Sequence, residues 1–263
     1  MCRLAAYCGR ALSLKSFLLD PAQGLVKQAY APRETMSATV NADGFGIGWY
    51  DDEGEPAVYR STLPAWADPN LPHLGRSLER GLWLANVRSA TDPRSSGYAN
   101  TQPFHHEDLL FLHNGFIEDF PVVRGELRDW LEPSFERLIS GTTDSEYLFA
   151  ALCQLRRNEP SARDLTGCMA ALLTDLWGRL AHRPALLNCV VSDGHRLIGL
   201  RHARNADAPS LYVHPHHRGL NGGHLIASEP LDEERGWRSV PPDHFVVVEP
   251  ERDVGIIPLS DFV

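Results

Sequence analysis

Hydrophobic positions change their period twice along the chain. In the first 120 or so residues they form short apolar or alternating runs, the signature of strands. Residues 3–8 read as a short strand stopped by Gly9. Residues 45–50 form a Gly-interrupted apolar run after the turn signal Asn41-Ala-Asp-Gly44, and 57–60, 82–87 and 109–112 follow as further strands. Between about 122 and 182 the spacing becomes helical. Leu148, Leu152 and Leu155 fall at i, i+4 and i+7, and Leu165, Met169, Leu172, Leu173 and Leu176 repeat the pattern. Strand-like runs return at 187–191, 196–200, 210–213, 224–227 and 244–248. Strands, then helices, then strands predict an α+β fold of mostly antiparallel sheets with helices packed outside them, rather than a doubly wound βαβ fold. No Pro-, Gly- or Ser-rich linker divides the chain, so residues 1–263 are expected to form one domain.

Composition narrows the function. With 25 basic against 34 acidic residues the net charge is −9, which argues against a nucleic-acid partner, since phosphate binding needs a dense Lys/Arg face. No apolar run reaches the roughly 20 residues that span a bilayer, so no membrane association is expected. The five cysteines, Cys2, Cys8, Cys153, Cys168 and Cys189, are odd in number and have no framework spacing, which favours free thiols in a reducing, cytoplasmic setting. Arg3, Arg10 and Lys15 interrupt any secretory apolar segment. No feature of the chain reads on oligomeric state.

The position richest in chemistry is Cys2. Removal of the initiator Met, favoured before a small residue, would leave one residue carrying both a thiol and an α-amine. The amine, with a pKa of about 7.7–8.0, is a base suited to activating a thiol of pKa about 8.5. The plain alternative is a small buried thiol at the start of a strand. Cys8 is not expected to bridge to Cys2, because six residues of strand separate them by about 20 Å.

A thiolate attacking an amide needs donors aimed at the developing oxyanion. His113-Asn114-Gly115 follows directly on the strand at 109–112. The Asn114 side-chain amide and the Gly115 backbone N–H would make such a pair, although Asn-Gly is also a common turn. Arg88, at the end of the strand at 82–87, suits bidentate capture of a carboxylate, or a plain salt bridge. Gly141-Thr-Thr-Asp-Ser-Glu146 opens a helix, with Thr143 and Glu146 fitting a capping box and Asp144 favoured by the helix dipole. Asp144 could equally face a substrate ammonium. Arg88 and Asp144 together would then grip an α-amino-acid head.

The start Met-Cys-Arg-Leu-Ala-Ala-Tyr7, with 41–49, Val87-Arg-Ser-Ala-Thr91, His113-Asn-Gly115 and Thr143-Asp-Ser-Glu146, resembles the class II glutamine amidotransferases. These are N-terminal-nucleophile hydrolases with a four-layer αββα sandwich. The resemblance implies Cys2 as nucleophile, Asn114 and Gly115 as oxyanion hole, and Arg88 and Asp144 as clamps on a γ-glutamyl head. Thr91 and the 44–46 stretch would line the same pocket. It implies no cofactor and no metal, and a small-molecule γ-glutamyl partner.

Synthetase-coupled members carry a Trp after the pocket Arg and His-Gly after the Thr. Here Ser89 follows Arg88, and Asp92-Pro93 follow Thr91. Tyr30-Ala-Pro-Arg33, 41–50 and 87–91 instead look like the ergothioneine-biosynthesis branch, which hydrolyses γ-glutamyl-hercynylcysteine sulfoxide through a thioester. That substrate carries a trimethylammonium group, for which Trp49, Tyr50, Trp66 and Phe104 are aromatic candidates. The alternatives are a glutaminase subunit feeding ammonia to a separate synthetase, and a non-catalytic binding protein that retains Met1. His214-Pro-His-His217 with His224 reads as a surface loop rather than a metal site, and His113 as a residue that packs or orients Asn114.

Overall fold

Period-two burial along the first strand sets the architecture. In the computed structural model, which describes residues 2–34, 40–90, 95–158, 164–180 and 182–262, β1 runs Arg3–Ser13. Leu4, Ala6 and Cys8 point to one side of it, and Ala5 and Tyr7 to the other. Both sides are buried, so a layer must cover each.

The elements that do so follow in order. They are α1 (Leu14–Leu18), α2 (Leu25–Gln28), β2 (Phe45–Tyr50), β3 (Pro56–Ser61), α3 (Leu71–Ser77), β4 (Glu79–Val87), β5 (Phe104–His106) and β6 (Leu109–Ile117). The helical stretch is α4 (Phe120–Trp130), α5 (Pro133–Glu136), α6 (Asp144–Asn158) and α7 (Leu165–Leu180). After it come β7 (Ala185–Ser192), β8 (Leu197–Arg201), β9 (Ala203–Arg204), β10 (Tyr212–His217), β11 (Gly223–Ala227), β12 (Arg238–Ser239), β13 (His244–Val248) and β14 (Gly255–Pro258). The first sheet has the order β12-β10-β11-β1-β4-β2-β3, the second β14-β13-β8-β7-β6-β5 with β9 on β7, and the pairs are antiparallel.

Three apolar layers hold the sandwich. Phe17, Leu18, Leu25 and Leu71 of α1–α3 cover the outer face of the first sheet at Tyr7, Trp83 and Ala85. Leu4, Ala6, Cys8, Leu82 and Leu84 meet Leu110, Leu112, Val190 and Val246 between the sheets. Helices α4–α7 cover the second sheet through Leu148, Leu152, Leu173 and Leu176 against Phe111, Leu187, Val191 and Phe245. Each such side chain contributes about 1.5–3 kcal/mol by leaving water. The result is the αββα order of layers expected from the sequence.

Several boundaries moved. β1 continues past Gly9 to Ser13 through a register shift between Cys8 and Leu12. β6 extends through His113, Asn114 and Gly115, which pair with Cys189, Asn188 and Leu187 of β7, so this Asn-Gly is strand and not turn. The 214–217 segment is the end of β10, with His214 and His217 buried, rather than a surface loop. Among the described residues no helix is long and apolar enough to cross a membrane, and none of the five cysteines forms a disulfide.

Candidate active site

Strand register brings together residues that lie far apart in the chain. Arg3 pairs with Val87 across β1 and β4, so one step further places Cys2 opposite Arg88. Leu4 and Ala6 face the second sheet, and side-chain alternation puts Cys2 on that same side. The same alternation along Leu110 and Leu112 carries Asn114 towards the first sheet, while Phe111 and Ile117 face the helices. A cavity of about 670 Å³ opens where these rows end. Cys2, Arg88, Gly115 and Asp144 line it. Asn114 is fully buried behind that wall, its Nδ2 3.4 Å from Ser228 Oγ and its Oδ1 without a partner among the described residues. Ser228 Oγ accepts a hydrogen bond from Leu4 N, which ties Asn114 to the Cys2 end of β1.

Cys2 is half-buried, its Sγ 3.7 Å from the Ser89 carbonyl oxygen. Arg88 is buried. Its Nη2 donates to Ser95 O at 2.9 Å and Ser95 Oγ at 3.0 Å, but Nη1 has no partner among the described residues. A buried donor without an acceptor is costly, so this one is poised for an anion. Burial lowers the Arg88 pKa, and the neighbouring Cys2, Asp43 and Asp144 groups oppose that shift. Asp144, at the start of α6, accepts from Ile117 N at 2.6 Å and from Ser145 N at 2.7 Å. Those two amides fix its carboxylate at the cavity wall.

Other residues act as braces. Gly115 is forced by space, because a Cβ there would lie 1.8 Å from the Leu186 carbonyl oxygen. Asn100 donates to Ser95 O and Thr142 Oγ1 and accepts from Thr142 N, linking the Arg88 partner to the start of α6. Gln102 pairs with both backbone groups of His113 at 2.6 and 3.0 Å. Ser95, Asn100 and Gln102 were not singled out from the sequence, since side-chain amides and hydroxyls in a loop carry no periodicity. The rim from Phe116 to Arg124, where β6 ends and α4 begins, was also not singled out.

Several sequence expectations need correction. His113 contacts Ser145 Oγ and the Leu186 carbonyl, each at 2.9 Å, rather than Asn114. The capping box does not form: Thr143 Oγ1 has no partner among the described residues, and Glu146 instead accepts from Ser140 N and Gly141 N. Gly44 and Gly46 do not line the cavity; they allow close contact with Ser61 and Gln102. Trp49, Tyr50 and Phe104 are committed to the core or to its hydrogen bonds, and Trp66 packs on Tyr30 away from the cavity. The aromatic residues at the cavity are Phe116 and Phe120. Thr91 lies outside the described residues.

The family described as glutamine amidotransferases class-II matches residues 25–256. The chain belongs to the class II glutamine amidotransferases. With that membership stands the expected chemistry of the enzyme class, cleavage of a carbon–nitrogen amide bond. The chain is 29% identical to the gamma-glutamyl-hercynylcysteine sulfoxide hydrolase of Mycolicibacterium smegmatis over 258 residues, covering 98% of each chain. It is 26% identical to a probable glutamine amidotransferase, DUG3, of Saccharomyces cerevisiae, covering 95% of this chain and 82% of that one. Among solved structures, the glutamine aminotransferase class-II domain protein from Silicibacter pomeroyi superposes with a TM-score of 0.71 at 26% identity, covering 98% of this chain and 99% of that chain. The glutamine phosphoribosylpyrophosphate amidotransferase of B. subtilis shares the fold at a TM-score of 0.61 and 14% identity, covering 98% of this chain and 49% of that chain.

Proposed function

We propose that this class II amidotransferase hydrolyses the γ-glutamyl amide bond of a substrate with a large, cationic leaving amine, of the γ-glutamyl-hercynylcysteine sulfoxide type. The carrying observation is that Cys2, Arg88, Gly115 and Asp144 line one cavity, and that Arg88, a buried guanidinium, keeps its Nη1 without a partner among the described residues. After removal of Met1, the Cys2 α-amine takes the thiol proton and the thiolate attacks the γ-carbonyl carbon. By the family resemblance the oxyanion is held by the Gly115 N–H, at the cavity, and by the Asn114 side-chain amide, whose Nδ2 has a second N–H beyond the one on Ser228 Oγ. Collapse breaks the C–N bond, the α-amine returns its proton to the departing nitrogen, and a thioester remains on Cys2. Water, deprotonated by the same amine, then releases glutamate and the free thiol. Arg88 binds the α-carboxylate through Nη1, and Asp144 the α-ammonium. Thr91 is assigned to the same glutamyl pocket by resemblance.

The size of the cavity supports a bulky leaving group over glutamine. At about 670 Å³ it falls in the range of sites for drug-sized ligands, roughly 300–1,000 Å³. Its lining also includes Phe116 and Phe120 with Glu118 and Asp119, a mixture of aromatic rings and carboxylates suited to a quaternary ammonium. The test is release of glutamate from γ-glutamyl-hercynylcysteine sulfoxide beside glutamine, with Cys2→Ala as the second enzyme. Turnover of the bulky amide well above glutamine, lost by on the order of 10⁴-fold or more in Cys2→Ala, is the expected result. Preference for glutamine would favour an ammonia-delivering subunit, and full activity of Cys2→Ala would remove the nucleophile assignment.

A further inference from the structure

At the opposite edge of the first sheet, β10 carries two buried histidines three residues apart. On a regular strand such residues point to opposite faces. Here the register of β10 against β11 shifts between His214 and His217, and His216 takes a left-handed φ of 54°. The bulge rotates the chain so that both rings turn to one side, their centroids 4.6 Å apart. Glu234, on the loop between β11 and β12, closes the cluster. Its carboxylate lies 3.3 Å from His217 Nδ1 and 4.0 Å from His214 Nε2.

The hydrogen bonding around this cluster leaves lone pairs facing inwards. His214 Nδ1 lies 3.0 Å from the Pro215 carbonyl oxygen, an acceptor, so the proton belongs on Nδ1. Nε2 is then a lone pair, and it has no hydrogen-bond partner among the described residues although the side chain is only 3% exposed. Asp232 Oδ2 stands 3.0 Å from His217 Nε2. A proton held there leaves Nδ1 as a second lone pair, turned to the Glu234 carboxylate. Two lone-pair nitrogens and a carboxylate converging in a buried site repel one another unless a cation sits among them. Gly236 keeps the approach to His214 open, since a Cβ there would lie 2.6 Å from Nε2.

We infer that His214 Nε2, His217 Nδ1 and Glu234 form a divalent transition-metal site, with zinc the best match to its ligand chemistry. Two imidazoles and one carboxylate with a position left for water is an established zinc set, and imidazole disfavours Mg²⁺ and Ca²⁺. A carboxylate on the far nitrogen of one histidine and a carbonyl on that of the other are the usual outer partners of metal-bound imidazole. The three ligand atoms lie within 4.8 Å of one another. Tetrahedral ligands bound at about 2.1 Å stand about 3.4 Å apart, so closure needs a shift of up to about 1.4 Å. Glu234 can supply it, because its side chain is 24% exposed. The site would clamp the 232–237 loop to the sheet edge, away from the Cys2 cavity, so it adds a structural ion rather than a step in amide hydrolysis.

The competing occupant is a proton, with His217 as an imidazolium between Asp232 and Glu234. Metal-stripped full chain, titrated with Zn²⁺ against a chromophoric chelator, separates the two. One zinc per chain is expected, retained in Cys2→Ala and weakened at least tenfold in both Glu234→Gln and His214→Gln. Zinc should raise the Tm of the wild type but not of Glu234→Gln, which keeps an oxygen for one of the two backbone amides, Arg218 N and Gly219 N, that now donate to the separate carboxylate oxygens. Co²⁺ should bind with a visible spectrum that lacks thiolate-to-metal absorption. Absence of zinc uptake by the wild type would overturn the site. So would equal zinc affinity in folded Glu234→Gln and His214→Gln, or loss of binding in Cys2→Ala.

Discussion

Two buried arginines flank the Cys2 end of β1, and they are used in opposite ways. Arg3 is fully enclosed. Its Nε donates to the Cys2 carbonyl at 2.7 Å, its Nη1 donates to the Glu34 carbonyl, and Glu229 stands 3.8 Å away. Glu229 is satisfied in turn by Gln23 Nε2 and by the backbone amides of Arg33 and Glu34. Arg88, across the strand pair, keeps one buried nitrogen unpaired at the cavity wall. Burial lowers the pKa of both guanidiniums, so desolvation alone does not tell them apart. The difference is whether the chain itself supplies a charged partner in contact: Glu229 stands 3.8 Å from Arg3, whereas Asp43 and Asp144 act on Arg88 without a contact to its Nη1. Where it does, the arginine belongs to the fold; where it does not, the missing anion points to a ligand.

That contrast can be broken experimentally. Arg3→Met should cost about 3–5 kcal/mol of stability, since it strands the Glu229 carboxylate in the interior, and chemical denaturation reads the loss. Arg88→Lys should leave the melting temperature near that of the wild type and raise KM by about 10–100-fold, because one ammonium cannot reproduce the fork. If Arg88→Lys unfolds the chain while its KM holds, the roles are reversed.

The thiols sharpen the same distinction between packed and open chemistry. Burial pushes the Cys8 thiol up to about 12 and raises Cys153 and Cys189 further still. At neutral pH these remain protonated and enclosed, so iodoacetamide should modify Cys2 first, as peptide mass mapping would show. Comparable labelling of Cys8 and Cys189 in the folded chain would contradict the packing. The smallest effect expected is acid sensitivity at the rim of the second sheet. Desolvation opposes the shift, but hydrogen bonding and charge from Arg156 leave the Asp108 carboxyl below its ordinary value. A depressed folded pKa stabilises above the unfolded value, about 3.9, and that contribution is lost as pH falls through the folded one. Arg156→Gln should therefore remove up to about 1 kcal/mol at pH 6 and progressively less below pH 4, read by denaturation at the two pH values.

Legibility from the sequence was uneven for physical reasons. Leu148, Leu152 and Leu155 announced a helix by their i, i+4, i+7 spacing, although residues 148–154 are buried on every side of α6. The strand interiors were equally plain, but their ends were not. His113-Asn-Gly115 has the composition of a turn, and only pairing with β7 makes it strand. The same holds for 214–217, where polar residues at a bulged sheet edge mimic a loop. Of the aromatic candidates, whose plainer reading is core or rim, Trp49 packs tilted against Trp83 and Phe104 stacks on Phe149. The cavity rim at Phe116 and Phe120 carried no local signal at all.

Alternation and helical spacing, being properties of neighbouring residues, by themselves determined antiparallel sheets with helices outside them, while a few ordered motifs determined the family and, through it, the αββα order of layers. Which nitrogen of Arg88 lacks a partner, that Gly115 has no room for a methyl group, and that His214 and His217 turn to one side were decided only by the folded chain. Each depends on contacts across strands dozens of residues apart, and no local pattern encodes a distance between such segments.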